Sequence, residues 1–168
     1  MGNTGSGRGM SERRKVLNTP FETGLRIVLL LQSTGTVASL GRIIIYDFIA
    51  THADSFDLGD EPLNGSTLFA FGELPARRRL AENAMKELIL DGFVDAQNTM
   101  DGIVYSISPA GRELCRRLQS GDGTESEYIV TYTKMVQRIH RRYRRRTVAQ
   151  LANEVTKYSM KSIKKASI

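Results

Sequence analysis

The sequence predicts a mostly helical α+β protein: a winged helix-turn-helix domain with a basic helical extension at its C-terminal end. Three observations predict this class. Apolar residues recur at helical spacing in several separate segments. Two short β-prone segments flank the turn Asp101-Gly102. Positive charge is concentrated at the end of the chain, since residues 127–168 carry eleven Lys and Arg against two Asp and Glu, whereas residues 1–126 carry thirteen against sixteen.

The first three helices are predicted from their ends and their apolar faces. Thr19 is suited to cap the first helix, Pro20 fits its first position, where no N–H is needed, and Gly35 ends it. Apolar residues at helical spacing predict a second helix over residues 39–51 and a third over residues 76–91.

A hairpin and a fourth helix complete the predicted domain. Residues 93–97 and 103–107 are predicted to be strands, and an Asp-Gly pair between them supplies the turn chemistry. Ser108 followed by Pro109 predicts the capped start of the fourth helix. The order helix, helix, helix, hairpin, helix is typical of a winged helix, in which the hairpin is the wing.

The chain is predicted to have four parts along its length. They are a Gly-rich disordered tail (1–17), the winged-helix domain (18–120), a short linker (121–127) and a basic helical arm (128–168). Within the domain, a long acidic loop over residues 52–75 also carries apolar side chains, and loops of this length are usually functional or disordered. We expect these side chains to pack on the domain itself or on a partner, and we assign three of them to partner binding: Leu63, Phe69 and Phe71.

The sequence offers little for catalysis. His52 and His140 lie far apart with no metal-ligand spacing, and Cys115 lies on the apolar face of a helix, which favours a structural thiol. Phosphate-binding glycine motifs and a nucleophile elbow are missing from the sequence. We therefore expect no enzymatic activity, cofactor, metal or small-molecule substrate. The single cysteine and the lack of a long apolar run predict a cytoplasmic protein without membrane contact.

Three arginines at the start of the third helix, Arg77, Arg78 and Arg79, are candidate nucleic-acid ligands. In a winged helix this helix commonly enters the major groove, where guanidinium groups contact phosphates or guanine edges. The outer face of the same helix is acidic, however, and the predicted wing carries Asp95 and Asp101 without any Lys or Arg. Pairing of the three arginines with acidic groups, within the chain or on a partner, is therefore the favoured interpretation.

A second arginine cluster lies in the C-terminal arm, where no acid occurs between Glu127 and Glu154. Its six members are Arg138, Arg141, Arg142, Arg144, Arg145 and Arg146. Such a cluster indicates salt-dependent, sequence-independent DNA binding or docking into an acidic protein groove, and the sequence favours neither. The apolar residues Ile139 and Leu151 around the cluster predict that the arm also packs on a partner.

Several of these segments carry a family resemblance over residues 18–120. They are Asn-Thr-Pro-Phe-Glu at 18–22, Tyr-Asp-Phe-Ile-Ala-Thr-His at 46–52, Gly-Glu-Leu at 72–74 with the three arginines that follow, and the segments 88–94 and 102–105. With them the chain resembles the small middle component of bacterial three-component ABC-ATPase systems, the accessory subunit of Lamassu-type antiphage defence.

The resemblance implies a non-catalytic scaffold. The expected partners are an SMC-like ABC ATPase, bound as a dimer of heads in a kleisin-like role, and an effector nuclease held in check until foreign DNA is engaged. DNA is expected to be contacted non-specifically, through the complex. Two alternatives remain: a stand-alone winged-helix transcriptional regulator, and a binder of RNA or membrane surfaces that acts through the basic arm alone.

Overall fold

The computed structural model describes residues 19–58, 74–121 and 124–167. These residues form a mostly helical structure with one small sheet, so the predicted α+β class is confirmed. The helices are α1 (Pro20–Thr34), α2 (Leu40–Thr51), α3 (Leu74–Leu90), α4 (Pro109–Gln119), α5 (Thr124–Tyr143) and α6 (Val148–Ala166), and a 3-10 turn spans Ala53–Phe56. The strands are β1 (Ala38–Ser39), β2 (Val94–Thr99) and β3 (Gly102–Ile107).

Local hydrogen bonds explain why α1 and α4 begin where the sequence predicts. The Thr19 hydroxyl accepts a hydrogen bond from the Glu22 N–H at 3.2 Å, and the Ser108 hydroxyl accepts one from the Gly111 N–H at 3.0 Å. Each hydroxyl satisfies an N–H group of the first helical turn, which has no partner inside the helix. Gly35 ends α1 in the left-handed conformation, with φ of 64°.

The three strands form one antiparallel sheet in the order β1-β3-β2. The hairpin pairs Val94 with Ile107 at its base and Thr99 with Gly102 at its turn, as the sequence predicts to within two residues. Strand β1 was not predicted, because two residues are too short to show an alternating pattern.

Glycine is required where α4 approaches the base of the hairpin. A Cβ atom at Gly111 would lie 2.2 Å from the Phe93 carbonyl oxygen and 2.7 Å from the Ile107 side chain. Both distances are shorter than van der Waals contact, so only glycine allows the first turn of α4 to pack this closely against the sheet.

The two C-terminal helices are part of the core, which corrects the prediction of a separate arm. Helix α5 packs on α1 and α2, and α6 packs on α2. Ile139 and Leu151 are each 0% exposed, so they contact this chain's own core and not a partner. Their apolar spacing indicated a buried face correctly, but such a pattern does not say which surface buries it.

The boundaries of these helices also differ from the prediction. Helix α5 begins at Thr124, inside the predicted linker, and the single helical stretch expected after residue 128 is divided in two. The break lies before Thr147, whose hydroxyl accepts from the Gln150 N–H while the Gln150 side chain accepts from the Thr147 N–H. This capping box starts a new helix at Val148.

Some predictions fall outside the described residues. They are the N-terminal tail (1–17) and the three partner-binding candidates of the long loop, Leu63, Phe69 and Phe71. Among the helices that the structure describes, none combines the length and the apolar character needed to cross a bilayer.

Candidate functional site

Asp47 of α2 is the centre of a buried polar network that joins four helices. Its carboxylate accepts hydrogen bonds from Arg26 Nε at 2.8 Å and Nη2 at 3.2 Å, from Arg77 Nη1 at 3.2 Å and from the Tyr132 hydroxyl at 2.7 Å. Because these donors come from α1, α3 and α5, the four side chains hold all three helices around α2. We call Arg26, Asp47, Arg77 and Tyr132 the buried arginine network.

Electrostatics keep this network ionised at neutral pH. Burial by itself would raise the pKa of Asp47, but the attraction of Arg26 and Arg77 and the hydrogen bonds from Arg26 and Tyr132 outweigh it and hold that pKa below its usual value. Burial, together with the negative charge of Asp47, raises the pKa of Tyr132 well above its usual value, so the phenol stays protonated and donates.

Arg77 cannot contact DNA in this structure, because its side chain is buried in the network. Its guanidinium is enclosed, since the residue is 4% exposed, and it lies over the Phe48 ring at 5.5 Å while it donates to Asp47. Arg78 forms an exposed ion pair with Glu82, and Arg79 is exposed. Pairing with acids of the same chain, the interpretation that the sequence favoured, therefore applies to Arg77 and Arg78.

A small cavity lies beside the network, between α1, α2 and α3. Its polar lining is formed by Thr23 and three members of the network, and the Thr23 hydroxyl accepts from Arg26 Nη2 at 3.5 Å. The remaining lining is apolar and consists of Ile27, Ile43, Ile44 and Ala81. Because its polar groups bond one another, the cavity belongs to the structural network.

The exposed cations of α5 lie on one helix face. Lys134, Arg138, Arg141 and Arg142 are exposed, whereas Tyr132, Val136 and Ile139 on the opposite side are buried. Spacings of three, four and seven residues bring these cations together along the helix. Arg144, Arg145 and Arg146 follow in the exposed turn between α5 and α6. We call these seven residues the basic surface.

Within the described residues, the basic surface forms no ion pair. Arg138 Nη1 donates to the Leu58 carbonyl at 3.2 Å, and Arg142 lies over the Tyr143 ring at 5.3 Å. Burial, with repulsion from Arg144 and Arg42, lowers the pKa of the neighbouring His140, so its ring adds no charge at neutral pH. The arginines supply the positive charge, and they are exposed to an incoming anion.

The predicted hairpin has the opposite charge. Asp95 and Asp101 are exposed on it. Glu82 and Glu87 on α3 and Asp91 just after α3 are exposed as well; Glu82 is paired with Arg78, and Lys86 is an exposed cation among them. Two apolar side chains, Leu90 and Met100, are also exposed in this region. We call this combined area the acidic face.

Two residues that were candidates for catalysis, Cys115 and His52, are packed in the core. Cys115 is buried, and burial raises the pKa of its thiol to about 11, so a reactive thiolate is scarce at neutral pH. The His52 ring stacks on Phe48 with centroids 4.5 Å apart, and its Nδ1 lies 2.9 Å from the Phe48 carbonyl oxygen. Among the described residues, no group of His, Cys, Asp and Glu has an arrangement that would hold a metal ion.

Sequence reasoning missed the buried arginine network. A signal was present, because Asp47 interrupts an apolar helix that is buried on nearly every side. An acidic residue in such a place requires a cationic partner. The partners were not identifiable, because Tyr132 is 85 residues away in the sequence.

Comparison with models of known protein families identifies a match. A family model described as "ABC-three component (ABC-3C) system Middle Component 2" matches residues 16–165. No curated protein and no solved structure matches the chain.

Proposed function

The chain belongs to the family of ABC-three component system Middle Component 2, and on this premise we propose that it is the non-catalytic bridging subunit of such a system. A component of a multi-component ABC system has protein partners. The partners that we propose are an SMC-like ABC ATPase, whose heads the chain links in a kleisin-like role, and an effector nuclease. The complex would act in the cytoplasm against foreign DNA, as in Lamassu-type antiphage defence.

The order and pairing of the elements support a winged-helix domain in the first part of the described chain. Helix α1 is followed by the short strand β1, then by α2 and α3, and then by the hairpin β2-β3. Strand β1 pairs with β3 at the side away from β2, so the hairpin extends from a three-stranded sheet as a wing does. In this interpretation α3 is the helix that other winged domains insert into DNA.

The charge of the acidic face is the observation that carries the bridging proposal. Phosphates would be repelled by two acids on the wing, Asp95 and Asp101, and by two at the C-terminal end of α3, Glu87 and Asp91. These four exposed acids face one exposed cation, Lys86. Leu90 is 80% exposed beside these acids, and apolar area of this kind is stabilised by burial against protein. We therefore propose that the wing and the C-terminal end of α3 contact a subunit and not DNA.

The basic surface supports DNA contact at a different part of the chain. Seven cations without acidic neighbours would displace condensed counterions from a duplex, which gives sequence-independent and salt-dependent binding. Arg78 and Arg79 are further candidates, and of these Arg78 would first have to leave Glu82. In this proposal the complex binds DNA through the chain's cations while protein partners hold the chain by other surfaces.

The second candidate function is a stand-alone winged-helix transcriptional regulator, and the topology of the sheet and the exposed arginines of α3 favour it. It predicts specific binding of the isolated chain to a palindromic promoter site, and a loss of that binding in the Arg78→Ala variant. The acidic wing argues against this candidate, because winged domains commonly place the wing on the phosphate backbone.

Reconstitution with the ATPase of the same system tests the bridging proposal. We expect the purified chain and ATPase to co-elute at low salt, and we expect an Asp95→Lys/Asp101→Lys variant to co-elute less. The matched control is Glu113→Lys with Glu127→Lys, which makes the same charge change away from the acidic face. Failure of the wild-type chain to co-elute, combined with tight binding of the chain alone to one DNA sequence, would favour the regulator.

A further inference from the structure

Helix α6 has a second face that the core does not use. Its inner face carries Leu151 and Val155, which are buried, and Tyr158, whose ring lies 4.7 Å from that of Phe56. On its outer side, residues at intervals of three and four form an uncharged and exposed row, which we call the outer stripe: Ala149, Ala152, Thr156, Met160 and Ile163.

The two large members of the outer stripe are unusually exposed for apolar side chains. Met160 is 61% exposed and Ile163 is 59% exposed. They lie one helical turn apart, and the alanines and the threonine that continue the row are small enough for a second helix to approach closely. Intervals of three and four residues are those with which one helix packs along another.

A row of positive charge runs along one edge of the outer stripe. Lys157, Lys161 and Lys164 are exposed at intervals of four and three residues, and we call them the lysine row. Lys161 Nζ lies 5.6 Å from the centre of the Tyr158 ring. Glu154 is the single acid of α6, and in the described part of the chain it forms no ion pair with the lysine row.

From this juxtaposition we infer that the outer face of α6 docks an amphipathic helix of a partner subunit, with apolar residues over the outer stripe and carboxylates over the lysine row. The inference rests on the proposed function, which supplies the partner subunit. The outer face of α6 is a surface separate from the acidic face and from the basic surface.

Charge complementarity selects this occupant over two others. A second copy of the chain would bring one acid on the same helix, the partly buried Glu154, against three exposed lysines, so the lysine row would meet mainly further lysines. DNA would satisfy the lysines but would leave Met160 and Ile163 against water and phosphate. An acidic amphipathic helix satisfies both the apolar stripe and its charged edge.

Site-specific cross-linking identifies the occupant. A photo-reactive benzoylphenylalanine is installed at Met160 in the full-length chain, which is co-expressed with the ATPase and effector subunits of its system. After irradiation, mass spectrometry locates the linked peptide. We expect one helical segment of a partner subunit, with Asp or Glu at intervals of three or four residues. The matched control is the same photo-reactive residue at Arg112, an exposed position on α4.

Charge reversal tests the role of the lysine row. Lys157→Glu combined with Lys161→Glu is expected to lower the cross-link yield from Met160 by roughly five- to tenfold at low salt, because two rim charge pairs are lost. The control is Arg112→Glu combined with Arg117→Glu, which makes the same change of net charge on exposed positions of α4, away from the acidic face. Circular dichroism checks that both variants keep their helical content.

The outcomes separate this inference from the proposed function. If the subunits do not co-elute, both fail, because no partner is present. If they co-elute but Met160 links to a second copy, to DNA, to a segment without acids, or no more strongly than Arg112 does, only the docking inference is overturned. An equal loss of yield in both charge-reversal variants would also overturn it.

Discussion

Two groups of arginines in this chain have opposite environments. Arg26 and Arg77 are enclosed in the core and converge on one carboxylate, that of Asp47, whereas the arginines of the basic surface are exposed and form no ion pair within the described residues. Position relative to the apolar pattern, and not residue type, therefore decides whether an arginine in this chain is structural or exposed. The buried pair connects helices, and the exposed group is accessible to solvent.

The cost of burial explains the difference. A guanidinium taken out of water is strongly destabilising unless an acceptor compensates it. In the buried arginine network, Asp47 is that acceptor for two arginines, and the Tyr132 hydroxyl adds a fourth hydrogen bond to the same carboxylate. The basic surface has no such cost, because water solvates its guanidinium groups. Substitutions in the buried arginine network should therefore lower the free energy of unfolding, whereas substitutions in the basic surface should leave it nearly unchanged.

Removal of the shared acceptor should have the largest effect on stability. Asp47→Ala leaves two buried guanidinium groups without that carboxylate, and we expect the free energy of unfolding to fall by about 3–5 kcal/mol. Urea denaturation followed by circular dichroism measures it. The control is Asp95→Ala, an exposed acid of the hairpin, for which we expect a change within about 0.5 kcal/mol. Equal effects of the two substitutions would contradict the role assigned to the network.

Removal of one donor should have a smaller effect. Tyr132→Phe deletes the hydroxyl that donates to Asp47 but leaves both arginines bound, so we expect a loss of about 2 kcal/mol, as for a hydrogen bond to a charged group. Tyr105→Phe, on strand β3, is the matched control and should be close to neutral. A neutral Tyr132→Phe would indicate that the two arginines alone satisfy the carboxylate.

Acid should weaken the buried network through Asp47. The pKa of this carboxyl is lowered by folding, so its stabilisation is fully present above the pKa of the unfolded chain and is lost as the pH falls through the folded value. We expect the stability difference between the wild type and Asp47→Asn to be constant from pH 7 to about pH 5 and to shrink below about pH 4. Parallel pH profiles of the two proteins would contradict the assignment.

The exposed arginines should matter least for stability. In a variant with Arg141, Arg142, Arg144 and Arg145 changed to Gln, we expect a free energy of unfolding within about 0.5 kcal/mol of the wild type for each substitution. Thermal unfolding measures it. A large loss would mean that these side chains support the packing of α5 and α6 on α2, and the contrast between the two regions would disappear.

The sequence predicted the features that depend on neighbouring residues. Thr19 and Ser108 are predictable caps because a cap hydroxyl and the backbone N–H that donates to it are three residues apart. Ile139 and Leu151 were correctly expected to be buried but were assigned to a partner, because an apolar spacing contains no information about which surface covers it. Arg77 was grouped with Arg78 and Arg79 because adjacent residues look alike until the helix directs one of them inward.

The buried arginine network could not be predicted from the sequence, because its members are far apart in the chain. The Asp47 carboxylate meets Arg26, Arg77 and Tyr132 across separations of 21, 30 and 85 residues. No local sequence pattern predicts these contacts, because they depend on how four helices pack together. The basic surface was easier to predict, since its residues are close in the chain and lack acidic neighbours, although only the structure assigns Lys134 to the same face.

The salt dependence of DNA binding tests the central claim most directly. The reconstituted complex is titrated onto a non-specific duplex at several salt concentrations, with the wild-type chain and with the variant in which Arg141, Arg142, Arg144 and Arg145 are Gln. We predict weaker binding by the variant and a plot of log affinity against log salt that is shallower by up to about 3–4 units of slope, since each phosphate contact contributes about 0.9. Unchanged affinity and slope at low salt would contradict DNA contact by the basic surface and would indicate an acidic protein groove instead.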